Sequence, residues 1–367
     1  MKILNYNNSS FFYILNKSLN KRMINNDTKI ESNVKNIIND VKKNKDKALF
    51  KYSSKFDNIK INKLELNYKL VSRKLNVEKR VINSFKKAIL NVKNFHKKQL
   101  PSDLYQNKNN VTLRSRWRPI DSVGLYVPGG KAFYPSSLIM NVIPAKIAGV
   151  KRIVCVTPPT SNINPYFLAL IRELKINEVY LVGGAQAIAA LALGTETIEP
   201  VNKIFGPGNA YVAEAKKQLY GKVGIDLIAG PSEIVVVANK SNNPSWVAAD
   251  LMAQAEHDAN AQSILITDDN EFAKNVLSEI KKLKKILLKK NIIEQSLKKN
   301  GLIIKIDNID NSADIINFIA PEHLHIQIKS YKKLLSKINN AGGIFLGEYS
   351  VEAFGDYIVG TNHVLPT

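Results

Sequence analysis

Apolar positions spaced three and four apart run from Asn26 to about Leu100, as in VKNIINDVKKNKDKALFKYSSKF and VINSFKKAILNVKNF, and predict a helical segment. Pro101 and the polar run to Asn110 end it. From Val111 the pattern changes to short apolar runs separated by turn residues. VGLYV, RIVCVT, EVYLVG, DLIAG, EIVVVA and SILIT predict buried strands, with helices in SLIMNVIPAKIAGV, PYFLALIRELK, AQAIAALALG and NAYVAEAKKQLYG between them. Val- and Ile-rich strands alternating with helices predict βαβ units and a parallel sheet, so the expected class is α/β. A boundary is expected near Pro231, where a new strand series (EIVVVA, SILIT, GLIIKI, GGIFLG) begins. Between Asp268 and Asn300 a Lys-rich amphipathic pattern predicts a helix or helix pair with one solvated face.

The chain has 367 residues, 45% of them hydrophobic, enough for two domains with substantial cores. No apolar run approaches the roughly 20 residues that span a bilayer. The N-terminus, MKILNYNNSSFFYILNKSLNKR, lacks the continuous apolar core of a signal peptide, so a cytoplasmic location without membrane attachment is expected. The single cysteine, Cys155, excludes an internal disulfide. Its mid-strand place in RIVCVT predicts a buried apolar filler and not the reactive thiol of an ordinary aldehyde dehydrogenase. The net charge of +22 raises nucleic-acid binding as a function. That charge comes as Lys among Asn and Ile, with no helix-turn-helix, zinc-finger or RNP signature, and no nucleic-acid partner is expected.

Chemistry concentrates in three short segments. DLMAQAEHD (Asp250 to Asp258) places Gln254 and His257 three apart on one predicted helix, where they face the same side. A carboxamide oxygen beside an imidazole makes half of a zinc or manganese site. Glu322-His323 stands in APEHLHI, and Asp356 and His363 in GDYIVGTNHVLPT; of five histidines only His96 falls outside these segments. Pro321 predicts that Glu322-His323 enters a helix or turn, where adjacent side chains diverge and can serve two sequential proton transfers. Asp356 offers a zinc a good oxygen donor, and His363 is a ligand or a substrate contact.

Three glycine-bearing turns are predicted to follow strands and precede helices, the geometry in which helix N-termini collect phosphates. They are VPGGK (Val127 to Lys131), VGGAQAIAAL (Val182 to Leu191) and FGPGN (Phe205 to Asn209). None is a G-x-G-x-x-G fingerprint; together they predict a dinucleotide or other phosphate held without the usual loop. AGPSE (Ala229 to Glu233) puts the Ser232 hydroxyl at a strand-to-strand junction, to bind ligand or close the turn.

In this order the motifs resemble the histidinol dehydrogenase family, from RWRPIDSVGLYVPGG through VYLVGGAQAIAALALGT, VNKIFGPGNAYVAEAK, IDLIAGPSEIVVVA, MAQAEHD and APEHL to FGDYIVGTNHVLPT. The resemblance implies oxidation of L-histidinol with two NAD to L-histidine, through an aldehyde, on a zinc ion. It assigns Gln254, His257 and Asp356 to zinc. Ser232 and His363 join those residues and His323 in holding substrate. Glu322 and His323 become the acid/base pair, and Tyr126, Gln186 and Asn209 contact NAD. It further implies a homodimer of chains with two incomplete Rossmann-like domains resembling those of aldehyde dehydrogenases, plus an N-terminal helical segment. Residues 1–20 with 102–232 are expected to form the first domain, and 21–101 with 233–367 the second. His325 stands where family members commonly carry a carboxylate. Members also continue past the position of Thr367 into a tail bearing a substrate-binding Glu and a fourth zinc ligand, a His, for the partner subunit. The chain as written is therefore expected to fold but to turn over little, and an inactive remnant is the alternative reading.

Overall fold

The computed structural model describes residues 1–23, 28–67, 75–129, 134–228 and 230–366. Gly130 and Lys131 of the VPGGK turn, Ala229 of AGPSE, and residues 68–74 of the N-terminal helical pattern lie outside them. The chain opens with β1 (Lys2–Asn5), α1 (Phe11–Met23), α2 (Thr28–Asp57) and α3 (Lys79–His96). A hairpin of β2 (Leu104–Lys108) and β3 (Val111–Ser115) follows. The first alternating series is β4 (Ser122–Tyr126), α4 (Pro135–Ala148), β5 (Arg152–Thr157), α5 (Pro165–Glu173), β6 (Glu178–Leu181), α6 (Gly184–Leu193), β7 (Lys203–Phe205), α7 (Ala210–Leu219) and β8 (Gly224–Ile225). The second is β9 (Glu233–Val237), α8 (Pro244–Ala255), β10 (Gln262–Thr267), α9 (Asn270–Leu283), α10 (Lys290–Lys299), β11 (Leu302–Lys305), α11 (Ala313–Ile319), β12 (His323–Ile326), α12 (Tyr331–Leu335), β13 (Gly343–Leu346) and α13 (Glu352–Tyr357).

Two compact units result: Met1–Asn26, Gly230–Phe354 and Leu365–Thr367 form the first, Asp27–Ala229 and Gly355–Val364 the second. The boundary expected near Pro231 is therefore observed at Gly230, but the N-terminal segments are grouped the other way round. β1 joins the first unit because it pairs in parallel with β11, from Lys2↔Leu302 to Asn5↔Lys305. The helical segment belongs with 102–229 because α2 buries Val34, Ile37, Val41 and Leu49 in one cluster with Ile188 and Leu191 of α6. An amphipathic stripe shows that a helix needs a partner surface, not which sheet supplies it.

The second unit is built on a parallel sheet of order β6-β5-β4-β7-β8. Alternation along β5 sends Val154 and Val156 into the core under α2, α6 and α7, and Cys155 into the core under α3, α4 and α5. Complete burial pushes the Cys155 thiol up to about 12, so it is the apolar filler expected and no nucleophile. The first unit carries a parallel six-stranded sheet of order β1-β11-β10-β9-β12-β13. Val235, Val237, Leu324 and Ile326 face α1 and α11 on one side, and Ile234 and Val236 face α8 and α9 on the other. Among the described residues no helix is long and apolar enough to cross a membrane.

Three local readings change. The polar run before Asn110, expected only to end the helical pattern, holds a strand: Leu104↔Ser115 to Lys108↔Val111 pair antiparallel, and Asn109 and Asn110 turn the chain with φ of 51° and 61°. Two consecutive left-handed residues give the hairpin turn whose twist matches its strands. The described part of DLIAG, Asp226 to Ile228, is not a strand, because pairing stops at Ile225 and the Asp226 carboxylate is drawn into a buried ion pair. Of the helix or turn expected at Glu322-His323 there is no helix: α11 ends at Ile319, Ala320 caps it with φ of 50°, and His323 opens β12.

Candidate active site

In the first unit, β12 lies between β9 and β13, with His323 registered against Ile234 and Gly343. His323 is buried, and its Nδ1 lies 3.1 Å from the Glu233 carbonyl oxygen. A carbonyl only accepts, so Nδ1 carries the proton and Nε2 is the basic nitrogen of the neutral ring. Glu322 is also buried, and its Oε2 accepts a hydrogen bond from the Glu233 N–H at 3.0 Å. The backbone N–H and carbonyl of one β9 residue, Glu233, thus orient both members of the expected acid/base pair. The two side chains do not diverge as expected: Glu322 Oε2 lies 3.6 Å from His323 Nδ1.

Helix α8 brings Gln254 to the same place. With its amide turned so that nitrogen faces the acceptor, Gln254 donates to both oxygens of Glu352, at 2.9 and 3.0 Å. Glu352 is buried and its Oε1 lies 3.7 Å from His323 Nδ1. The carboxylate fixes the amide nitrogen and turns the carboxamide oxygen away from itself, the orientation a cation would use. His257 lies past the end of α8, which stops at Ala255, and not on the predicted helix; its N–H reaches back to the Gln254 carbonyl at 3.2 Å. The ring is exposed. Ser232, half-buried just before β9, accepts the Gln262 N–H on its carbonyl at 3.0 Å.

Glu352 was not singled out in the sequence. Its spacing to Asp356 is i, i+4 within α13, which puts two carboxylates on one helical face and is the signal that would have found it. Asp356 itself belongs to the second unit, half-buried, as does His363, whose N–H lies 3.4 Å from Met140 Sδ while Asn362 Nδ2 donates to the Met140 carbonyl at 2.8 Å.

Also in the second unit, two of the glycine turns meet at Tyr126. The Tyr126 hydroxyl accepts the Gly184 N–H at 3.2 Å, at the N-terminus of α6. Burial, with a smaller push from Asp57, holds the phenol above its ordinary value, so it stays protonated and able to donate onward. Gln186, one turn into α6, is buried, and its Oε1 has no hydrogen-bond partner among the described residues. An orphaned buried amide oxygen beside a helix N-terminus suits a donor on a bound ligand. Gly206 has φ of 114°, and a Cβ there would fall 2.1 Å from the Tyr126 carbonyl oxygen. Only glycine lets this turn approach so closely. Asn209, exposed, spends its Oδ1 capping α7, on the Tyr211 and Val212 N–H groups at 3.1 and 3.2 Å. The turn is gripped from beneath by a pair the sequence did not announce. Lys216 Nζ donates to the Gly206 carbonyl at 2.5 Å and to Asp226 Oδ1 at 2.7 Å, and Asp226 Oδ2 accepts the Gly206 N–H at 2.8 Å.

Comparison with known proteins places this geometry. Residues 20–367 match the family model described as Histidinol dehydrogenase. The chain is 46% identical over 357 residues to the histidinol dehydrogenase of Listeria monocytogenes, covering 96% of this chain and 84% of the relative. It is 47% identical over 356 residues to that of Rhizobium meliloti, covering 95% and 81%. The crystal structure of the Elizabethkingia anophelis enzyme superposes with a TM-score of 0.93 at 37% identity, over 100% of this chain and 85% of that one.

Proposed function

Because the chain belongs to the histidinol dehydrogenase family, we propose that it oxidises L-histidinol to L-histidine in two successive NAD-dependent steps, through the aldehyde. The observation that supports this most is the buried His323 with its Nδ1–H committed to the Glu233 carbonyl. In the first step hydride leaves the carbinol carbon for NAD+, and His323 Nε2 takes the hydroxyl proton. In the second, His323 having released its first proton to solvent, Glu322 takes a proton from the water that adds to the aldehyde; the resulting hydrate anion then gives its hydride to a second NAD+ and its remaining hydroxyl proton to His323. Tyr126, Gln186 and Asn209 are assigned to the dinucleotide, and Ser232 and His363 to the substrate.

Zinc suits the donors: a carboxamide oxygen turned outward by Glu352, the His257 imidazole and the Asp356 carboxylate are the nitrogen and oxygen ligands this ion accepts. When bound, it would hold the substrate's imidazole and amine and stabilise negative charge developing on the alcohol oxygen. The test is stoichiometry. NADH should reach two equivalents per L-histidinol consumed, with loss on chelation and recovery with added zinc. An end point of one equivalent with free aldehyde accumulating would reject the two-step reading.

The reading includes a homodimer. Every residue of the β2–β3 hairpin is exposed, including Leu104, Tyr105, Val111 and Leu113. A two-stranded hairpin is marginal by itself in water, and a row of this kind gains most from burial against a second copy. Replacing Tyr105 and Leu113 by Asp should shift the sedimenting species from dimer to monomer; an unshifted dimer would place the interface elsewhere.

A further inference from the structure

His325 follows His323 by two residues on β12, so the two rings face the same side of the sheet, toward α8. It is fully buried and serves no step above. Its Nδ1 lies 2.8 Å from Oδ2 of Asp250 on α8, and its Nε2 2.8 Å from the Gly347 carbonyl oxygen. The same Asp250 oxygen accepts a second hydrogen bond, from Gln327 Nε2 at 2.8 Å, and the Gln327 carbonyl accepts one from Asn242 at 3.0 Å. The Gly347 carbonyl only accepts, so Nε2 of His325 donates to it, while Nδ1 meets the Asp250 carboxyl group and lies 3.3 Å from Gln327 Nε2.

The three anchors of this ring each lead to a residue of the candidate active site. Asp250 stands one helical turn before Gln254 on α8. Gly347, with φ of 91° and its N–H on the Ile326 carbonyl, begins the turn that delivers Glu352 on α13. β12 itself carries His323. A buried polar cluster fills a core less favourably than leucine would, unless its directional bonds set a geometry. We propose that the His325–Asp250 pair is a positioning device that sets Gln254 and Glu352 against His323 by tying α8 and the Gly347 turn to β12. The inference rests on the dehydrogenase reading above.

Two variants test it, His325→Gln and the triple Asp250→Leu/His325→Leu/Gln327→Leu, which removes the cluster whole and leaves no member unpaired. Each is read by thermal midpoint, by kcat and KM for L-histidinol, and by the 15N ring signals of the protein's five histidines. The triple variant should recover a midpoint near wild type while kcat stays about 10–100-fold down, the usual consequence of losing an outer-shell partner. The Nδ1–H signal of His323 should broaden or shift in both variants. Wild-type kcat together with an unchanged His323 signal, in whichever variant folds, would overturn the proposal. Should the wild-type chain form no NADH from L-histidinol, the dehydrogenase reading fails by itself, and the His323 signal in His325→Gln alone decides whether the pair positions that ring.

Discussion

His323→Asn is expected to slow oxidation of L-histidinol and of the aldehyde alike, by about 10²–10⁴-fold, the range for removal of a general base. Glu322→Gln should slow chiefly the aldehyde step. The asymmetry follows from the two backbone groups of Glu233 on β9 that hold the two residues. The Glu233 carbonyl takes His323 Nδ1–H and so leaves Nε2 to receive a proton whenever hydride departs, which happens in both steps. The Glu233 N–H holds Glu322 by Oε2 as an acceptor, fit to take a proton from water, which enters only after the aldehyde has formed. Separate assays with alcohol and aldehyde, each by NADH formation, measure the two effects. Aldehyde oxidation at the wild-type rate in Glu322→Gln would remove Glu322 from its role.

Lys216→Met should destabilise the second unit by about 3–5 kcal/mol, because removing one partner of a buried ion pair leaves the other charge uncompensated. Lys216 and Asp226 side chains are only 4% and 6% exposed, so water cannot take the place of the lost ammonium. The carboxylate would keep just the Gly206 and Leu227 N–H groups as donors. Since Lys216 also holds the Gly206 carbonyl, the turn beside Tyr126 should loosen and KM for NAD should rise. Urea unfolding followed by a probe in the second unit gives the stability, and a loss below about 1 kcal/mol would mean the pair is solvated in solution.

Much of this protein was legible before folding. The strands of VGLYV, RIVCVT, EIVVVA and SILIT, and the helices between them, appear where Val/Ile runs and helical periodicity put them, since a strand buried on both faces must be apolar throughout. β12 escaped because HLHI carries two imidazoles whose burial depends on partners from β9, α8 and the Gly347 turn. β2 escaped because LYQNK has no buried face to pattern it.

The chemistry divides the same way. Local sequence determined which donors the protein owns, for Gln254, His257, Glu322, His323, Asp356 and His363 were identifiable by type, spacing and the family their motifs resemble. Only tertiary structure decided which His323 nitrogen is basic, that Glu352 turns the Gln254 amide, and that β1 belongs with β11 while α2 belongs with α6. These are relations between residues far apart in the chain, set by hydrogen-bond geometry and by which surfaces bury each other, and no periodicity within a single segment records them.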